Sequence, residues 1–97
     1  MVVRADLPRG IQAANIVHAA GESAPGGLPS GTHAVVLQVP DERDLWRLAD
    51  KLDAYGVAFV KVDEPDPPYG GALMAIGLHP RRKEEVRRYL SSLPLLK

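Results

Sequence analysis

Apolar positions along the chain follow two periodicities. Residues 1–6, 33–39, 57–62 and 72–78 are short, apolar or β-branched runs of strand length, the pattern of strands that lie largely buried. Between and after them, apolar residues recur at spacings of three and four. These are Ala13, Ile16, Val17 and Ala20 in 11–21, then Leu45, Leu48, Leu52 and Tyr55 in 41–55, then Val86, Tyr89, Leu90 and Leu93 after Pro80. That spacing predicts three helices, each with one apolar stripe. In the first helix Ile11, Asn15 and His18 fall on the side away from the stripe, so its polar groups are expected to face outward.

Local signals sharpen the boundaries. Asp41 is placed to cap the second helix, Gly56 to end it, Pro80 to sit near the start of the third and Pro94 to stop it. Glycines and prolines crowd 21–31 and 63–71, which predicts two surface loops. The most continuous apolar run, 33–39, reads as a central strand. The order is therefore β-α-β-α-β-β-α, and the fold class is α/β: a mixed four-stranded β-sheet flanked by helices.

Length and composition add limits. A chain of 97 residues with 45% hydrophobic and 25% charged side chains forms one domain, 1–97. No cysteine is present, which removes disulfides, thiolate metal sites and cysteine nucleophiles, and suits a reducing, cytoplasmic setting. No apolar run nears the roughly 18 residues needed to span a bilayer, so no membrane partner is expected. The net charge is zero, but its distribution is uneven. Residues 41–66 hold eight acids and four bases, while 77–97 hold six bases and two acids. A basic patch around Arg81, Arg82 and Lys83 is expected at that end.

Several enzyme classes fall away on residue types. There is no Gly-x-Ser-x-Gly elbow, no phosphate-binding Walker loop, no Gly-x-Gly-x-x-Gly fingerprint and no His-Glu-x-x-His. His18, His33 and His79 lie far apart without carboxylates at ligand spacing, so no metal and no cofactor are expected.

One segment is more informative. Leu7-Pro-Arg-Gly-Ile-Gln-Ala-Ala-Asn-Ile-Val-His-Ala-Ala20, a strand end running into an Ala-Ala-amide-x-x-His-Ala helix, resembles the type-two peptidyl-tRNA hydrolase family, most closely its divergent domain-containing branch. The resemblance continues through Pro40-Asp41-Glu42, Leu45 and Leu48, then Pro80 to Lys83, Glu84-Glu85-Val86, Tyr89-Leu90 and Leu96-Lys97. It implies a homodimer that hydrolyses the ester between a peptide or aminoacyl group and tRNA.

On that resemblance Asn15 stands where the family has glutamine and orients the carbonyl or the water. His18 orients its neighbours or exchanges a proton. Asp63 or Asp66 polarises the water, and Arg4, Arg9, Gly10, Arg81, Arg82 and Lys83 hold substrate. An ester leaves readily, so a placed water and donors for the developing oxyanion suffice without a covalent nucleophile. The chain departs from the family in the turn before the helix, which carries Arg9-Gly10 in place of two lysines. Gly70-Gly71 also replaces the family's Gly-Thr. The alternative is an RNA- or tRNA-binding module of the same fold that has lost catalysis, or a dimeric structural or regulatory domain.

Overall fold

The structure is a computed structural model that describes residues 1–97. Its elements run β1 (Val2–Arg4), α1 (Arg9–Ser23), β2 (Leu37–Val39), α2 (Glu42–Ala54), β3 (Phe59–Glu64), β4 (Ala72–Leu78) and α3 (Lys83–Leu90). They form a mixed four-stranded sheet of order β2-β1-β4-β3, with β1 and β2 parallel and the other pairs antiparallel. The α/β class and the element order agree with the sequence pattern. No helix is long and apolar enough to cross a membrane.

Helices cover both faces. On one side Val2, Leu73 and Ile76 pack with Leu45, Leu48, Leu52 and Tyr89 of α2 and α3. On the other, Val3, Val62 and Ala75 meet Ala19 of α1. α2 matches its sequence signals closely: the Asp41 carboxylate accepts the Asp44 N–H at 3.0 Å, and Gly56 (φ 69°) takes the left-handed step after the helix.

β4 carries a register shift. Val62 pairs with Ala75 and Asp63 with Leu73, so Met74 is the extra residue of a bulge. The shift turns Leu73 to the same side as Ile76, against α2.

Three expectations change. The run 33–39 is not a central strand: β2 is short and lies at the sheet edge, with residues 33–35 exposed. Its outer side is covered by the C-terminal tail, through Gln38 N–H to the Pro94 carbonyl at 3.0 Å and Leu96 N–H to the Val36 carbonyl at 2.9 Å. α3 starts at Lys83, later than Pro80 suggests, because Arg81 ties back to the carbonyls of His79 and Ala58.

The third concerns α1. Its buried positions are Gln12, Asn15, Ala19 and Ser23, while Ala13 is exposed and Val17 is 71% exposed. The packing face lies between the two that spacing distinguishes: Asn15 of the expected outward side is buried and Ile11 partly so, His18 is exposed as expected, and of the stripe only Ile16 and Ala20 are partly covered. Gly77 explains the choice. A Cβ at that position would overlap the Ala19 carbonyl oxygen and lie 3.1 Å from the Ser23 Cβ, so the helix runs almost on the backbone of β4. Only small or backbone-bonded side chains fit beneath it.

Candidate functional site

Strand directions place the carboxyl ends of β1, β2 and β3 and the start of β4 at one end of the sheet. α1 begins there, and its far end meets the opposite end of the sheet, where the His79 Nδ1 and the Ser23 carbonyl are 2.7 Å apart. Arg4, Arg9, Gly10 and the 64–71 loop thus share one end. Arg81, Arg82 and Lys83 lie at the other, roughly 20 Å away along the seven-residue β4. The six residues expected to hold one substrate therefore form two separate groups.

Where β1 leaves the sheet, Arg4 is the organising side chain. Its Nε and Nη2 donate to both Asp6 carboxylate oxygens at 2.9 and 3.0 Å, and its Nη1 reaches the Leu73 carbonyl at 3.2 Å. Beyond the last β1–β4 pair the Leu73 N–H is taken instead by the Glu42 Oε2 at 2.9 Å, an oxygen that also receives the Trp46 indole N–H at 3.3 Å. Two side chains thus complete a ladder that β1 leaves open.

Gln12 connects this end to α1. Its amide nitrogen donates to the Arg4 carbonyl at 3.0 Å, and its oxygen accepts from Arg9 at 3.2 Å. Only 4% of Gln12 is exposed, so the bridge is structural and aims Arg9 at the surface beside the α1 N terminus. That terminus has Pro8 as N-cap, no side chain capping it and no acid in its first turn. Its first N–H groups and positive end stay available to an anion. Nothing lies within 4 Å of a Cβ built at Gly10, so the approach is open.

The remaining expected residues are more scattered. Asn15 is 5% exposed and donates its amide N–H to the Ile11 carbonyl at 2.9 Å. Its oxygen has no protein donor and is not sealed from solvent. His18 is exposed, roughly 12 Å along the helix axis from Gly10. Strand alternation puts Asp63 with Lys61 and Phe59 on the α2 side of the sheet, away from α1. Asp66 is exposed in the loop. The carboxylate that alternation turns toward α1 is Glu64, which accepts the Asp66 N–H at 3.0 Å. Cavities of about 1090 and 240 Å³ contain none of Asn15, His18, Arg9 or Asp63. No three His, Asp or Glu side chains gather to hold a metal ion.

Gln12 and Glu42 are the participants that sequence reading missed. Gln12 lies one turn before Asn15 on the same helical face, and Glu42 follows the Asp41 cap, where a carboxylate suits a helix N terminus.

Electrostatics follow the Arg4–Asp6 contact. The guanidinium holds the Asp6 carboxyl below its ordinary range, and hydrogen bonding to Asp6 raises Arg4 further. A depressed carboxyl stabilises the fold above its unfolded pKa of about 3.9, and this stabilisation is lost as pH falls through the lower folded value. Asp6→Asn is therefore expected to lower Tm at pH 7, and the two melting curves should converge as pH falls through the lowered folded-state value of the Asp6 carboxyl. With Asp6 41% exposed, solvent screening keeps the difference to about 1 kcal/mol or less. A Tm-against-pH series of both proteins reads it.

Compared with known proteins, the chain matches no family model and no curated sequence.

Proposed function

We propose that the chain hydrolyses the ester joining a peptide or aminoacyl group to tRNA, at the end of the sheet where β1 turns into α1. The observation that supports this reading is the juxtaposition of an uncapped helix N terminus with Arg9, held in place by Gln12.

Attack of water on an ester develops negative charge on the carbonyl oxygen. N–H groups at the head of α1 and the Arg9 guanidinium stabilise that charge or the neighbouring phosphate. The free Asn15 oxygen accepts a hydrogen bond from the attacking water at the rim of this surface. His18, farther along the helix, contacts the substrate away from the reacting bond. The proton lost by the water passes to the ribose oxygen that leaves, directly or through solvent.

Purified protein is expected to release N-acetylaminoacyl groups from tRNA. Arg9→Ala should lower kcat/KM about tenfold, or about 1.4 kcal/mol in the barrier, with little change in Tm. Asn15→Ala should lower turnover by a similar factor. Intact substrate after long incubation with the wild-type protein would remove the proposal.

One observation favours the binding-module reading: the Asn15 amide nitrogen is engaged within its own helix at 2.9 Å. That reading expects a salt-sensitive tRNA complex, weakened by Arg9→Ala, without ester cleavage.

A further inference from the structure

A cleft of about 1090 Å³ lies at the end of the sheet opposite the α1 N terminus. Its volume is slightly above the roughly 300–1,000 Å³ typical of small-molecule sites. One wall is a single face of α3, where Lys83, Val86, Arg87 and Leu90 follow at i, i+3, i+4 and i+7. The other wall is segment 28–35, and the floor comes from Val2, Leu37 and Leu78 of three strands.

The lining is chemically one-sided in two respects. Arg81, Arg82, Lys83 and Arg87 all line the cavity, yet no Asp or Glu does, although the whole chain has as many acids as bases. Glu84 and Glu85 belong to the same helix but lie off the lining face. The apolar part is equally uniform. Leucines and valines make up most of it, and no Phe, Tyr or Trp contributes. A nucleobase or aromatic body would find no aromatic ring beyond the imidazoles of His33 and His79 on which to stack. An aliphatic chain would find walls of its own kind, and its anionic head would meet the guanidinium groups at the rim.

We propose that this cleft binds an aliphatic amphiphile with an anionic head, a fatty-acid carboxylate or an alkyl phosphate. The chain lies between α3 and segment 28–35, over Leu37 and Leu78. The head pairs with Lys83 and Arg87 on α3 and with Arg82 in the turn before it. His79, whose Nδ1 lies 2.7 Å from the Ser23 carbonyl, closes the end beside α1.

The site is remote from the surface proposed for ester hydrolysis, and its test contains no tRNA, so the two stand or fall separately. Dodecanoate and dodecyl phosphate, kept below their micelle concentrations, are titrated calorimetrically against dodecyltrimethylammonium, dodecanol and inorganic phosphate. Both anionic amphiphiles are expected to bind at one site per chain, and their ratio tells a carboxylate preference from a phosphate one. The three controls should bind at least tenfold more weakly. Lys83→Ala/Arg87→Ala, two exposed positions, should weaken dodecanoate about tenfold at unchanged Tm. Leu28→Ser, in the exposed loop wall, should do the same through the aliphatic chain and without changing any charge. Equal binding of the cationic amphiphile, or no dodecanoate binding at all, overturns the proposal. So does a short RNA that binds through Lys83 and Arg87 when dodecanoate does not.

Discussion

Gly77→Ala is expected to destabilise the protein by about 2–3 kcal/mol, a Tm loss of roughly 10–20 °C for a chain of this size. The added methyl group would overlap the Ala19 carbonyl oxygen, with the carbonyl carbon 3.0 Å and the Ser23 Cβ 3.1 Å away. Two of these three atoms are helix backbone, which has no alternative rotamer. α1 must therefore lift from β4, opening the contact that Ala19 makes with Val3, Val62 and Ala75. Trimming neighbours is not expected to rescue it, because neither Ala19→Gly nor Ser23→Gly moves the carbonyl. Gly21→Ala is the matched control: it lies in α1 with nothing within 4 Å of its Cβ, and it should stabilise by about 0.5–1 kcal/mol through helix propensity. Thermal and urea melts of the two variants should thus move in opposite directions. If Gly77→Ala melts with the parent, α1 does not sit where the fold places it.

The same close approach shows why one helix was misread while another was legible. In α2 the buried residues are three leucines at regular spacing and Ala49, between a capping aspartate and a glycine, so apolar area decides the face and periodicity reveals it, except at Tyr55, which ends the expected stripe and is exposed. In α1 the decisive variable is distance. A helix that rides on a glycine can bury only short side chains or polar ones that satisfy themselves locally. Gln12 does so on the Arg4 carbonyl, Asn15 on Ile11 and Ser23 on Ala20. Hydrophobic spacing records none of this, so Ala13 and Val17 looked like core and are not.

The candidate site divides along the same line. The Pro-Arg-Gly entry to α1 is a local feature, and the sequence displays it. The partners of Arg4 are contributed by residues 2, 38 and 69 positions away, and no local pattern announces Glu42 or Leu73. The cationic cleft was half visible. The tail's six bases stand out, but the segment 28–35 that faces them reads as the end of one loop and the start of a strand until the fold brings it opposite α3.

Glu42→Ala is the second change expected to cost heavily, about 2–3 kcal/mol. Leu73 is fully buried, and its N–H has the Glu42 carboxylate as its acceptor. A buried donor without an acceptor loses about 1–3 kcal/mol, more when the lost bond is charge-assisted. The half-buried Arg4 would also lose the attraction of a nearby carboxylate, which now supports its charged state. The indole N–H of Trp46 contributes little to the loss, since that residue is 40% exposed and water replaces the bond. Glu42→Gln separates the effects: the amide oxygen can still accept from Leu73 while the charge is gone, so it should retain more than half of the lost stability. Hydrogen exchange locates the change. The Leu73 amide should lose protection in Glu42→Ala, whereas Ile76, paired with β1 and β3, should lose only what the global destabilisation dictates. Uniform loss across β4 would mean that Glu42 acts through α2 packing. A selective loss at Leu73 would mean that a side chain serves as the missing rung where β1 turns away toward the proposed site.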